Sequence, residues 1–176
     1  MKRTIKVFFI GFGLILLVAV LIGLALPNEW SAEARVTIDA EPAVIHPYVS
    51  DFEQWQVWAT DNMKTEDPTA EVTVTGTGVG ATMTWTGDRM GQGRIVITES
   101  DPARGISYDA AIKSDELNGR GWIRYEVTPE GTVVTWHDEG DLPPVIGSYF
   151  AGMVNQTLSE HFEKSLTKLK GAVEGE

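Results

Sequence analysis

The stretch IDAEPAVIHPYVSDFEQWQVW (residues 38–58) decides the architecture. It opens on the last residue of an alternating run. Ala34, Val36 and Ile38 are set against Arg35, Thr37 and Asp39, the period-two pattern of a half-buried strand. Pro42 near a first turn and the apolar residues of 43–49 then predict a short helix, limited by Pro47. Ser50 and Asp51 carry the side chains that cap helix starts, so a second short helix is expected to follow, with Phe52, Trp55 and Trp58 on it. One strand followed at once by two short aromatic-bearing helices is an uncommon and informative order.

Downstream the period stays at two. Val72 and Val74 alternate with threonines; Ala81, Met83 and Trp85 share a face; Ile95 and Ile97 share one with Glu99. Ile106, Tyr108, Ala110 and Ile112 form a fifth set, Ile123, Tyr125 and Val127 a sixth, and residues 133–138 a seventh. Glycine-rich turns at 76–80 and 87–93, Pro102, and the Pro129-Glu130-Gly131 hairpin join them closely, as in an antiparallel meander. Pro143-Pro144 ends the sheet pattern. Beyond it Ile146, Phe150, Met153, Val154, Leu158, Phe162, Leu166, Leu169 and Val173 recur every three or four residues, predicting an amphipathic helix of about seven turns. The chain therefore reads as an α+β domain. Its seven-stranded antiparallel sheet must cover one apolar face, and the last helix is the element large enough to do so.

The chain has 176 residues, no cysteine and a net charge of −11. Disulfides, thiolate catalysis and cysteine zinc sites are excluded, and so acidic a chain argues against nucleic-acid partners. Lys2, Arg3 and Lys6 precede the uncharged run VFFIGFGLILLVAVLIGLAL (residues 7–26). At about 1.5 Å per residue that run matches a bilayer core of about 30 Å. The expected layout is a basic tail over 1–6, a transmembrane helix over 7–26, a linker over 27–33 and a domain over 34–176. The positive-inside rule then places the N-terminus in the cytoplasm and the domain outside a single-pass cell-membrane anchor. A cleaved signal peptide and a secreted domain are the alternative.

Four stretches carry a family resemblance: residues 38–58 above, GTGVGATMTWTG (76–87), GQGRIVITESDPARGISYD (91–109) and HFEKSLTKLK (161–170). In this order they resemble the START-like or SRPBCC superfamily, specifically its polyketide cyclase/dehydrase-like branch, over about residues 33–172. The resemblance implies a helix-grip fold, an antiparallel sheet wrapped on a long C-terminal helix with an apolar cavity between them. It implies no cofactor and does not fix a reaction, since fold alone does not set function.

Within that frame, Trp85, Ile97, Glu99, Tyr108, Tyr125, Phe150 and Met153 are expected to line a ligand cavity. Glu99 would bring a carboxylate into it, and the tyrosines offer apolar bodies with polar tips. Glu99 and His137 are also the candidates for acid–base work. No metal site is expected, because His46, His137 and His161 lack ligand-type spacing. The acidic run at 138–141 reads as a solvated loop at the cavity mouth. The leading expectation is a membrane-anchored domain that binds or shuttles a small hydrophobic ligand, such as a lipid, an isoprenoid or a polyketide-like molecule. A cofactor-free cyclase or dehydratase is the second, and a non-enzymatic sensor or chaperone-like partner of membrane proteins the third.

Overall fold

A computed structural model describes residues 2–61, 63–112 and 117–175. The elements run α1 (Lys2–Ala25), β1 (Glu29–Ile38), α2 (Pro42–Ser50), α3 (Phe52–Trp58), α4 (Met63–Glu66), β2 (Glu71–Thr75), β3 (Thr82–Gly87), β4 (Gly91–Asp101), β5 (Gly105–Ile112), β6 (Leu117–Thr128), β7 (Gly131–Asp141) and α5 (Ala151–Glu174), with a 3₁₀ turn at Gly147–Tyr149 before α5. The seven strands make one antiparallel sheet in the order β1-β7-β6-β5-β4-β3-β2. The meander therefore closes its first strand against its last, and the helix-grip α+β fold stands as expected.

The two short helices form for the reasons their sequence supplies. Pro42 occupies the first turn of α2. The Asp51 side chain accepts the Glu53 amide at 2.9 Å and caps α3. Trp55 and Trp58 then tie α3 back onto α2, donating their indole N–H groups to the carbonyls of Val49 (2.8 Å) and Tyr48 (3.0 Å). Both rings are buried.

α5 covers the sheet with two faces at once. Phe162, Leu166 and Leu169 enter the core. A polar stripe lies along the outer edge of β1, where backbone groups have no strand partner. Asn155 Oδ1 accepts the Ser31 amide at 2.9 Å, Ser159 Oγ the Glu33 amide at 3.3 Å and Glu174 Oε1 the Asp39 amide at 2.7 Å, while Lys170 Nζ donates to the Thr37 carbonyl at 2.9 Å. The exposed-edge problem of an open sheet is thus met by side chains from the gripping helix. Gly175, in the left-handed region at φ 78°, ends α5.

Two expectations change at the N-terminal end. β1 begins at Glu29, inside the expected linker, because Trp30 and Ala32 continue the inward-facing parity of Ala34. The single-pass anchor expected over 7–26 is corrected: among the described residues no helix is long and apolar enough to cross a membrane. The last turns of α1 also rest on the domain. Tyr149 Oη donates to the Ala19 carbonyl at 2.5 Å, and Gly23 packs against the backbone of Val145.

Gly105 opens β5 at φ 111°, and a Cβ there would run into the carbonyl of Ile123 on β6. Both strain and collision fall on the β5–β6 pair at mid-sheet. Gly105→Ala is expected to lower the unfolding free energy by about 2–4 kcal/mol in urea titrations followed by tryptophan fluorescence.

Candidate functional site

At mid-sheet the space under α5 is taken up by the chain itself. Trp136 of β7 stacks on Phe162 of α5 with ring centroids 4.2 Å apart, and Trp55 and Trp58 of α3 meet the same indole at 5.5 and 5.4 Å. The apolar cavity expected beneath the helix is displaced from this level by those four rings.

Toward the far ends of β5 and β7 the concave face changes character. The register aligns Trp30, Gly140, Gly119 and Ala110 across β1, β7, β6 and β5. Three consecutive strands therefore present almost no side chain there, and all three of these small residues stay partly exposed. The Trp30 ring lies over the glycines, 3.4 Å from where a Cβ of Gly119 would stand and 2.9 Å from that of Gly140. Trp85 lies across Gly93 at the same end of the sheet. A cleft of about 630 Å³ at the same end touches Trp30, Gly119, Gly140 and Asn155 of α5 but is lined mainly from the outer face of the sheet, by Asp109, Arg120, Glu139 and Asp141.

One row further in, Ala32, Asp138, Gly121 and Tyr108 are aligned in the same way. Tyr108 Oη donates to Asp138 Oδ1. Trp136 Nε1 donates to Tyr108 Oη at 2.6 Å and reaches Asp138 Oδ1 at 3.2 Å. A Cβ on Gly121 would collide with both the carboxylate and the phenol, so the bare glycine is what lets the pair meet. Burial pushes the Asp138 carboxyl up to about 6, with the two hydrogen bonds opposing that shift in part. Burial first, and then the neighbouring carboxylate, raise the Tyr108 phenol well above its usual value. The arrangement is a carboxyl group held in an aromatic interior and able to exchange a proton near neutrality.

A second polar cluster lies at the opposite end of the strands. The buried His46 of α2 contacts Tyr125 Oη through Nδ1 at 3.2 Å and Ser100 Oγ through Nε2 at 3.0 Å. Desolvation lowers the His46 pKa, against a smaller opposing effect of Asp101, which keeps the ring neutral at pH 7. Burial raises the Tyr125 phenol. This cluster ties α2 to β4 and β6 beside a cleft of about 510 Å³ lined by Glu99, Arg104 and Arg124.

The residues singled out in the sequence divide accordingly. Tyr108 and Ile97 are buried on the concave face, and Trp85 is half-buried there. Tyr125 belongs to the distant His46 cluster. Glu99 is corrected: a bulge between Ile97 and Glu99 shifts the register, so Glu99 pairs with Ser107 and turns to the outer face, where it accepts the Ser107 hydroxyl at 3.0 Å. His137 also faces outward, stacked on Trp122 at 4.9 Å and 3.3 Å from Glu33. Phe150 and Met153 precede or open α5 with about half or more of their surface exposed. Asp138 is the residue the reading missed. It is no solvated loop but part of β7, and its parity with Val134 and Trp136 was the signal.

Comparisons bear on the fold. A family model described as polyketide cyclase/dehydrase and lipid transport matches residues 29–174. No curated protein matches the chain. Among solved structures, a protein of unknown function from Staphylococcus aureus superposes with a TM-score of 0.64 at 10% identity, covering 84% of this chain and 94% of that one. Norcoclaurine synthase from Thalictrum flavum, solved as a point mutant with a transition-state analogue, gives 0.59 at 12% identity, covering 84% and 95%. A protein of the dynemicin biosynthetic locus gives 0.59 at 12% identity; 82% of this chain is covered, but it spans only 47% of that protein's length. At these identities the structures speak for the fold alone. The family match extends from β1 to the last turn of α5, and on it the chain belongs to the polyketide cyclase/dehydrase and lipid transport family.

Proposed function

We propose that the domain binds a small, mostly apolar molecule on the concave face. Its body would lie over Ala110 beside the Trp30 ring, which itself covers Gly119 and Gly140, and its polar end would reach the Asp138–Tyr108 pair. The observation that carries this reading is Ala110, a small and half-exposed residue beyond the Trp30 ring, on a face that elsewhere is filled by large side chains. Sheet cores are filled to crystal-like density; the Trp30 ring fills the space over the two glycines, and the room for a guest is over the half-exposed Ala110. Apolar burial at about 25 cal/mol per Å² would supply the affinity, and the buried polar pair the orientation. The family's description, which includes lipid transport, and the synthase among the structural neighbours agree with such a role.

The test is native mass spectrometry of the full chain from its own host, with organic extraction, followed by Nile red titration of wild type and Ala110→Leu. A leucine at 110 fills the hollow without touching the Trp55–Trp136–Phe162 stack. The expected result is a co-purifying molecule and at least tenfold weaker dye binding by the variant, with a melting temperature within a few degrees of wild type. Equal dye binding by both chains, with nothing extracted, would overturn the reading.

A second reading, a cofactor-free cyclase or dehydratase, is favoured by the proton-holding character of Asp138 alone. Its folded pKa of about 6 stands above the ordinary 3.8. The folded state thus holds the proton more tightly, and stability falls as pH rises from about 4 to about 6 and stays lower above that. Asp138→Asn removes this cost and keeps the hydrogen-bond acceptor. The variant is expected to be about 1–3 kcal/mol more stable than wild type in urea at pH 8 and equal to it at pH 4. A difference that does not change with pH would remove the acid–base role.

A further inference from the structure

The sheet has two edges, and the chain finishes them differently. Along β1 the outward backbone groups are met by Asn155, Ser159, Lys170 and Glu174 of α5. β2 (Glu71–Thr75) closes the other side of the sheet and pairs with β3 alone. Among the described residues no loop, helix or side chain hydrogen-bonds its outer row of backbone groups. Free strand edges are blunted by proline, lysine, a bulge or shortness, and β2 has only the last. It reads Glu-Val-Thr-Val-Thr and runs in unbroken register with β3.

The direction of those groups follows from the neighbouring strand. The Ala81 carbonyl accepts the Ile97 amide at 3.0 Å, so Ala81 turns toward β4. Backbone polarity alternates along a strand, so Thr82, Thr84 and Thr86 turn the other way, to Thr75, Thr73 and Glu71. Thr84 Oγ1 reaches the Thr73 carbonyl at 3.5 Å from that same side. Val72 and Val74 are left with their N–H and C=O groups aimed away from the sheet. Their side chains pack on the core, while Glu71, Thr73 and Thr75 are exposed on the other face.

Such an edge is complementary to a copy of itself. Laid antiparallel about a two-fold axis at Thr73, two β2 strands set Val72 opposite Val74, Thr73 opposite Thr73 and Glu71 opposite Thr75. Each Val72 then exchanges N–H and C=O with Val74 of the second copy, and no open group remains on either strand. Valine meets valine on one face and threonine meets threonine on the other. The strand's one charge, Glu71, faces a neutral side chain rather than its own mate. A shift of register in one direction would set Val74 opposite Ala70, whose amide is already bonded to the Asp67 carbonyl. A shift in the other would set Val72 opposite Gly76, which has left the strand at φ 74°. A closed match of every group in one register is the property of an isologous pair.

We propose that the protein self-associates through β2, joining two seven-stranded sheets into one continuous sheet across a two-fold axis at Thr73.

The chain has no cysteine, so Thr73→Cys introduces a single thiol. On the axis, in a non-hydrogen-bonded pair, two Cα atoms stand about 4.5 Å apart, within disulfide range. Under mild oxidation of the full chain, Thr73→Cys is expected to give a disulfide-linked dimer at least tenfold faster than Glu130→Cys, an exposed position on the β6–β7 hairpin. Sedimentation velocity over a hundredfold range of concentration should show the wild type passing from monomer to dimer by mass action. Val74→Pro removes one open donor and no bond to β3, and Thr73→Glu sets like charges across the axis. Each should weaken the dimer at least tenfold. Cross-linking of Thr73→Cys no faster than that of Glu130→Cys overturns the proposal. A wild type that stays monomeric throughout, or a dimer that both variants leave intact, overturns it as well. Should Val74→Pro not fold, Thr73→Glu, at an exposed side chain, decides alone. Association of all variants alike, through the exposed apolar side chains of α1, would count as the same failure.

Discussion

The molecule depends on the packing of one indole. Trp136 stands on β7, beside the edge strand β1, and joins three elements distant in sequence: Phe162 stacks on it from α5, and Trp55 and Trp58 close on it from α3. The stack seats α5 and the α2–α3 pair on the sheet together, and the α5 hydrogen bonds to β1 and the His46 contacts to Tyr125 and Ser100 fix their register. The stack also has a polar consequence. The indole N–H is buried and needs an acceptor, and it finds Tyr108 Oη and Asp138 Oδ1. Packing the grip and positioning the carboxyl are therefore one event.

That coupling explains why the concave face has two unlike halves. Where the four rings meet, the interior is filled and apolar. Past them β5, β6 and β7 carry Ala110, Gly119, Gly121 and Gly140 in adjoining rows. Gly121 is required there, since a methyl group would separate Tyr108 from Asp138. Gly119 and Gly140 make room for Trp30. Glycine weakens a strand by roughly 0.5–1 kcal/mol relative to alanine, so three on neighbouring strands are a sustained local cost that the rest of the sheet must carry.

Most of the fold was legible because the period of the apolar residues changes cleanly: two through the strands, 3.6 through α5, with Pro42 and Asp51 marking the short helices. The aromatic wedge on α3 was equally readable. What escaped was local geometry that parity arguments assume away. A single extra residue at Thr98 turns Glu99 from the inner face to the outer one, and bulges carry no pattern of their own in an alternating run. Phe150 fits the helical spacing of α5, yet the chain there is still in its 3₁₀ turn, so the spacing no longer maps onto one face. Asp138 was missed for the opposite reason. Its parity was correct, but a carboxylate amid acidic neighbours reads as solvent-facing unless the strand is followed to its end. The apolar run at the N-terminus predicted a helix correctly and a membrane span incorrectly, because composition says nothing of how the last turns of α1 are taken up by Val145 and Tyr149.

Along nearly the whole sheet, local preference, face alternation and burial agree with one another, as they do in sequences with a well-separated native state. They part company at one place, where small residues replace large ones and a buried carboxyl is held by a phenol and an indole rather than by a lysine or arginine among the described residues. Either departure alone would have a structural explanation: glycines admit a tryptophan, and a tyrosine hydroxyl satisfies a carboxylate. Together they do not, because replacing the carboxylate by an apolar group would relieve the buried charge and release Gly121 from its constraint. A chain shaped by stability alone would lose both features at once. Their joint presence agrees with the binding role proposed above, and it sits one row beyond the ring stack that makes the fold.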